Sequence, residues 1–491
     1  MPARPFSAMK YKWLVLSNTT VATLMAAIDT NIVLISLPTI GRELPGTSAT
    51  TLLWILLGYS LFTAVVLLNF GRLSDLFGRV RLYVLGFAVF TLGSLLCGLS
   101  QTGTELVVFR LVQAVGAGFL FANSAAIITD AFPPNERGRA LGINQISIVV
   151  GAVAGLILGG LITSTIGWRW IFFVNVPIGV VATLRAWLDL HEIALREEHP
   201  RIDWVGNAAF AVGLTLILAG VTLGALGDVG GAVALTTIAL GGAMLVVFVW
   251  IESRVPSPML DLSLFRNRVF ATTTTATLLN ALARGAFTFV LVFYLQGPPR
   301  YLDPFTAGLA LIPVSASLAT FGPISGWLSD HYGPTWFSIG GLLVSASGFL
   351  WLSTIGPAES FLALTPPLLL VGAGMGLFAS PNRAVMMTAV APNRRGVASG
   401  IGTTFVNTGA TVSLGVTLVI MSSVVPRSAL EVILTGGTLQ GGSASIAAGF
   451  LGSIHLIFLV SAALVLLSLV PIVFRGRSAP PSPEAPESPG D

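Results

Sequence analysis

Charge is what this chain has least of. Only 9% of its 491 residues are Asp, Glu, Lys or Arg, against about 25% in an average soluble domain. A molecule of that size could not solvate its surface with so few charges, so a water-soluble globular class is excluded. Cysteine is nearly missing as well: Cys97 is the only one, and it lies in an apolar run, so disulfides contribute nothing and the redox compartment stays open. There are 4 histidines, and none has metal-ligand spacing. No Walker loop, His-Glu zinc pair or nucleophile elbow occurs. An ATP-driven pump and a membrane hydrolase are therefore unsupported. The chain reads as non-enzymatic and free of cofactors and metals, with an ion gradient, in practice a proton gradient, as the remaining energy source.

What is present is apolar. Hydrophobic residues make up 54% of the chain, and there are 54 glycines, as expected where helices pack backbone to backbone in lipid. Fourteen apolar segments can be counted, at 12–38, 50–71, 82–100, 106–129, 140–163, 170–190, 205–226, 231–251, 271–295, 306–327, 337–355, 362–380, 398–421 and 451–474. Runs of about 20 residues cross a bilayer core of about 30 Å as helices. The predicted class is an all-α polytopic membrane protein. Lys10 and Lys12 precede the first run, but Asp29 interrupts it and no small-residue cleavage site follows, so it reads as a spanning helix and not a signal peptide. Residues 478–491 are rich in Pro and Ser without apolar anchors, which predicts a disordered tail.

Orientation follows from the basic residues. With the N-terminus cytoplasmic, nineteen Lys and Arg face the cytoplasm and four (Arg42, Arg169, Arg300 and Arg427) face outward. That is a strong positive-inside bias, and an even number of spans puts both termini inside. The formal charge of +4 thus reports orientation, and no nucleic-acid partner is expected.

The chain also repeats itself. Gly71, Leu73, Ser74, Asp75 and Gly78 map onto Gly326, Leu328, Ser329, Asp330 and Gly333 at an offset of 255. Pro134-Asn135-Glu136-Arg137-Gly138 returns as Pro392-Asn393-Arg394-Arg395-Gly396 at an offset of 258, which also carries Gly116 and Gly118 onto Gly374 and Gly376. Such an offset exceeds what six helices need, so two further helices lie between the halves. The organisation is a cytoplasmic N-terminus (1–11), a six-helix bundle (12–190), two central helices (205–251), a second six-helix bundle (271–474) and a cytoplasmic tail (475–491). Duplicated bundles of this kind are the usual build of secondary transporters.

Six strings in order make the likeness specific. They are Ile28-Asp29-Thr30-Asn31-Ile32-Val33, Gly71 to Arg81, Phe109 to Gly118, Trp168 to Gly179, Asp203-Trp204-Val205-Gly206 and Leu262 to Arg268. With them the chain resembles the fourteen-helix branch of the major facilitator superfamily, the drug:proton antiporter-2 family, over nearly all of residues 12–474. The resemblance implies a 6+2+6 major facilitator fold in a prokaryotic cytoplasmic membrane, exporting hydrophobic or amphiphilic compounds against protons by alternating access, as a monomer in the bilayer. It also implies a helix-packing motif at Gly151, Gly155, Gly159 and Gly160, although Leu156 stands where that motif carries Pro. A cytoplasmic cluster that latches the two halves in the outward-facing state is implied at Gly71, Asp75, Gly78, Arg79 and Asp130, with Asp330 as counterpart. The alternative for these residues is ordinary turn capping.

Three charges, Asp29, Arg110 and Arg284, fall inside predicted spans. Each costs about 2.5–3.5 kcal/mol at a helix centre on insertion scales, so each requires a partner or a wet cavity. Asp29 is expected to gain and release a proton beside Arg110; the alternative is a fixed salt link orienting two helices. Asn31, Gln113, Asn280 and Arg284 are candidate cavity residues, and a cavity arginine would favour anionic or zwitterionic groups over dications. Two other functions remain in view: a dedicated lipid, sugar or metabolite carrier on the same fold, and a membrane receptor or scaffold that transports nothing.

Overall fold

The computed structural model describes residues 8–193, 203–255, 258, 260–298, 300–391, 394–437 and 443–475; at Gly71, Asp75 and Asp330 it describes the backbone alone. Among these residues there is no strand, and fourteen helical spans are long and apolar enough to cross a membrane. They are α1 Tyr11–Glu43, α2 Ala49–Leu67, α3 Arg79–Leu99, α4 Gly103–Ala131, α5 Arg139–Thr165, α6 Trp170–Asp189, α7 Trp204–Leu226, α8 Gly231–Glu252, α9 Arg268–Gln296, α10 Pro304–Ser329, α11 Pro334–Leu352, α12 Phe361–Thr388, α13 Val397–Val424 and α14 Ala444–Val473. All fourteen apolar segments of the sequence are found.

The segment from Gly71 onward, expected as a turn, is almost wholly helical. The helix of α2 runs on to Phe77, and α3 starts at Arg79. Gly78 alone joins them, with φ 104° and ψ 129°, its N–H donating to the Ser74 carbonyl at 2.9 Å. At the repeat, Gly333 joins α10 to α11 with φ 87° and ψ 143°, its N–H donating to the Ser329 carbonyl at 2.9 Å. A side chain rarely adopts such a φ, which is why glycine stands at both joints. The duplication extends into packing. Gly116 of α4 rests on the backbone of Gly86 and Phe90 of α3, and Gly374 of α12 rests on Gly341 and Ser345 of α11.

The apolar core tells which way the molecule is closed. At the outer level one cluster unites both halves, running from Ile32–Leu57 through Phe172 to Phe287–Leu295, Leu311, Phe349 and Phe458. At the cytoplasmic level the halves keep separate clusters, Tyr11–Leu190 in the first and Leu264–Ile401 in the second. Outer contacts match this division. Gln296 donates to the Ile35 carbonyl at 2.7 Å, and Gly160 lies against the backbone of Pro304 and Phe305. A short helix, Arg427–Leu434, buries Ala429, Leu430, Ile433 and Leu434 over the same end. It occupies part of the connection between α13 and α14; residues 438–442 of that connection lie outside the described residues. The halves are therefore sealed together outside and separately packed inside.

The central pair, α7 and α8, turns at Gly227 in the left-handed conformation (φ 84°). It packs on the flank of α2 and α13, with Leu61, Val65, Phe210, Leu214 and Phe248 in one cluster. Only 17% of the apolar stretch of α8 is buried, so its apolar surface is left to lipid.

The two joints differ in surroundings, which separates two kinds of cost. An added Cβ at Gly333 meets nothing within 4 Å, whereas one at Gly78 meets the Glu192 carboxylate. Gly333→Ala is expected to lose about 1–3 kcal/mol from backbone strain alone, and Gly78→Ala more. Thermal unfolding of purified variants checks both the drop and its order; equal stability with the parent would contradict the backbone reading.

Candidate functional site

Asp29 lies in the middle of α1, in a run that is otherwise apolar, and it is 0% exposed. Such a carboxylate must be compensated on the spot. Arg110 of α4 donates through Nη1 to Asp29 Oδ2 at 2.6 Å. Asp29 Oδ1 accepts from Gln113 Nε2 at 2.8 Å and from Asn175 Nδ2 at 3.1 Å. Arg110 Nη1 also donates to Gln113 Oε1 at 2.6 Å, and its Nε reaches the Ile55 carbonyl at 3.4 Å. The Tyr59 ring lies 4.0 Å from the guanidinium carbon, a cation–π contact in a dry site. Ser94 accepts from Gln113 at 2.6 Å and from Asn175 at 3.4 Å. Five helices, α1, α2, α3, α4 and α6, thus converge on one charge pair, all within the first half.

Local sequence explains the convergence. Gly93 of α3 sits against the backbone of Gln113, where any Cβ would collide, so α3 and α4 meet at the level of the pair. Gly151, Gly155 and Gly159 of α5 present a bare ridge to α1, against Ala27, Ile28 and Ile32. Their spacing of four puts them on one helix face, which is how the expected packing motif is used. Gly160 faces away from that ridge toward α10, so it serves the contact between halves.

The charge pair does not line the space between the halves. That space is a cavity of about 230 Å³ bounded by Asn31 of α1, Ala152 and Leu156 of α5, Arg284, Gly285, Phe287 and Thr288 of α9, Val314, Ser315 and Leu318 of α10, Met375 of α12, and Val406 and Ala410 of α13. Of the four candidate cavity residues, Asn31 and Arg284 are there. Gln113 is committed to Asp29, and Asn280 is buried in α9 away from the lining. Helix α9 is broken beside the cavity into Arg268–Arg284 and Phe287–Gln296. At the break Gly285 lies against the backbone of Ala410, and the Ala286 N–H donates to Ser413 Oγ at 3.0 Å. Discontinuous helices around a midplane site are a recurrent device of carriers. Arg284 makes no hydrogen bond or ion pair with any described residue.

At the cytoplasmic end, Arg79 Nη1 donates to both Asp130 oxygens, at 2.8 and 2.9 Å. Lys12 pairs with Glu136 at 2.5 Å. Both pairs lie within the first half, so the described part of the expected latch ties α3 to α4. The side chains of Asp75 and Asp330 lie outside the described residues.

Asn175, Tyr59 and Ser94 complete the charge cluster, and none was among the candidates for it. Asn175 had a legible signal: an amide inside an apolar span, in the Phe-Val-Asn-Val-Pro string. Ser94 had none, because a lone Ser hydroxyl in a span more often bonds its own helix, and Tyr59, which contributes its ring, is one of many aromatics in the spans.

Comparison with known proteins fits this geometry. A family model described as Major Facilitator Superfamily matches residues 19–414. The riboflavin transporter RibZ of Clostridioides difficile (strain 630) is 32% identical over 79% of this chain and 83% of its own. The multidrug resistance protein Stp of Mycobacterium tuberculosis (strain CDC 1551 / Oshkosh) is 34% identical over 79% of this chain and 72% of its own. Among solved structures, a bacterial homologue of the human lysosomal transporter Spinster, inward-facing and unoccupied, superimposes with a TM-score of 0.68 at 17% identity, covering 96% of this chain and 98% of that one.

A buried pair is costly to halve. Asp29→Asn or Arg110→Gln alone leaves an uncompensated charge and is expected to lose about 3–5 kcal/mol of stability. The double variant Asp29→Asn/Arg110→Gln removes both charges and is expected to regain most of that loss. A double-mutant cycle of thermal unfolding measures it; additive losses would mean that the two side chains do not compensate each other.

Proposed function

Since the chain belongs to the Major Facilitator Superfamily, we propose that it is a proton-coupled exporter of hydrophobic or amphiphilic small molecules across a bacterial plasma membrane. It is a multi-pass membrane transporter and not an enzyme; the coupling ion, direction and substrates are the proposal. The observation that carries the proposal is Asp29, a buried carboxyl group at mid-span that is bonded by one cation and two amides. A proton taken up by Asp29 cancels its charge and strands Arg110, so the network favours a different packing of α1 against α4. Two protonation states thus bias two arrangements of the first half, which is what coupling requires. The largely apolar cavity, with a few polar groups, suits an amphiphile. A cavity closed outside and bounded by separately packed inner halves suits uptake of cargo from the cytoplasm.

A second reading has its own support. Asp29 and Arg110 are 0% and 1% exposed and mutually neutral, and Leu156 stands where the related antiporters carry Pro. A fixed pair of that kind orients helices in a carrier dedicated to one metabolite without proton exchange.

The chain's own Cys97 separates the readings. Its Sγ lies 3.9 Å from Gln113 Oε1, inside the Asp29 network, and is buried. If Asp29 gains water access during turnover, a small charged methanethiosulfonate reagent should modify Cys97 in proteoliposomes at least ten-fold faster with substrate and a pH gradient than at rest. Substrate-induced proton movement, followed with a pH dye across a panel of amphiphiles, should accompany it and vanish in Asp29→Asn/Arg110→Gln. Transport that persists in the double variant, with Cys97 inert throughout, favours the second reading.

A further inference from the structure

Arg284 faces a cavity with no counter-charge, and this distinguishes it from the other intramembrane arginine. Arg110 has Asp29 at 2.6 Å. None of the other residues bounding the cavity is acidic: Asn31, Thr288 and Ser315 are its polar groups, and the rest are apolar or glycine. Asp29 is on the same helix as Asn31 but points into the first half, where its charge is already cancelled. The Arg284 side chain is half-buried, so it faces the cavity partly hydrated and with no carboxylate beside it.

The break in α9 does not neutralise it. The helix Arg268–Arg284 ends at the cavity and Phe287–Gln296 begins there. The negative end of one half-helix dipole and the positive end of the next therefore meet and largely cancel. What is left over is one guanidinium, a planar group with five donors suited to a carboxylate, sulfonate or phosphate. Polar side chains stand on both sides of the divide, Asn31 from the first half, whose amide also donates to the Ala27 carbonyl at 2.9 Å, and Ser315 and Thr288 from the second.

We propose that the cavity between the halves is an anion subsite: Arg284 anchors the single negative head group of an amphiphile whose apolar part lies along Leu156, Phe287, Val314, Leu318 and Met375. This rests on the transport function proposed above and names the charge class of its cargo. At about 230 Å³ the cavity is below the range of about 300–1,000 Å³ usual for drug-sized ligands. A small ring or short chain bearing one acid group fits that volume. Dications and monocations are disfavoured, because they would place a second positive charge in a site lacking an acid. The anion is either a free organic acid or the head group of a bilayer lipid.

The test uses three probes with one ring system: naphthalene-2-sulfonate, the neutral methyl naphthyl sulfone and naphthyl-trimethylammonium. Binding to the full chain in zwitterionic-lipid nanodiscs is measured by calorimetry. The sulfonate is expected to bind at least ten-fold more tightly than the sulfone, and the ammonium most weakly. Arg284→Gln should level the three, and Arg284→Lys should restore part of the preference. Nanodiscs containing phosphatidylglycerol identify the source: competition with the sulfonate assigns the site to a lipid head group, and undisturbed binding assigns it to a free acid. Either result keeps the anion subsite. Equal affinities in the parent protein, or a sulfonate preference that survives intact in a folded Arg284→Gln variant, would overturn it; if the glutamine variant does not fold, the parent's ranking and the lysine variant decide. Proton movement driven by the cationic or neutral probe, with no sulfonate binding, would refute the subsite while leaving proton-coupled export standing. Arg284-dependent sulfonate binding without proton movement would do the reverse.

Discussion

One carboxylate in a medium that cannot solvate it organises the first half of this molecule. Asp29 accepts from Arg110, Gln113 and Asn175, and Arg110 in turn needs Tyr59 and the Ile55 carbonyl. These groups come from three helices, Ile55 and Tyr59 from α2, Arg110 and Gln113 from α4, and Asn175 from α6, and none could move alone without exposing a charge or an amide to hydrocarbon. Buried ion pairs add little net stability over a well-packed hydrophobic replacement. What the pair supplies is a register: α1, α2, α3, α4 and α6 meet around the Asp29–Arg110 bond. In the coupling proposed above, a proton on Asp29 acts on that register.

The two intramembrane arginines divide the work between halves. Arg110 sits in the first half with its counter-ion built in. Arg284 sits in the second, at a helix break, facing the common space. A carrier needs one site whose occupancy alters its conformation and another that holds cargo, and the two must communicate. Here α1 provides a direct mechanical link, because Asp29 and Asn31 are two residues apart on it, one turned into the bundle and the other toward the cavity. Gly151, Gly155 and Gly159 bind α1 tightly to α5, so a shift of α1 carries the cavity wall at Ala152 and Leu156 with it.

Much of this was legible in the sequence, for physical reasons. The bilayer forces every span to be long, apolar and helical, so all fourteen could be read from hydropathy alone. The duplication was legible because glycine has no substitute where backbones touch or φ is positive: Gly78 with Gly333, and Gly116 with Gly374, recur for the same geometric need. Charges inside spans announced themselves by their cost, so Asp29, Arg110 and Arg284 were evident. Their neighbours were not. Whether Gln113 faces a cavity or a carboxylate depends on helix rotation by a fraction of a turn, and an apolar span offers no amphipathic stripe to fix that rotation. Asn280, equally polar in sequence, is buried away from the cavity for the same reason.

At the cytoplasmic end Arg79 and Asp130 bind each other within the first half, and the shared core lies at the opposite end of the molecule, an arrangement other than the outward-facing one for which the latch is implied. These two facts belong together. A molecule sealed outside by a continuous apolar core leaves its inner halves to be stabilised separately, each by its own cluster and its own ion pairs. Closing the inner side must then break the outer core, from Ile32 to Leu295, and bring Arg79 and Asp130 within reach of the second half. Apolar contact is lost at one end as charge contact is gained at the other. The proton on Asp29 and the anion on Arg284 proposed above would act on that balance.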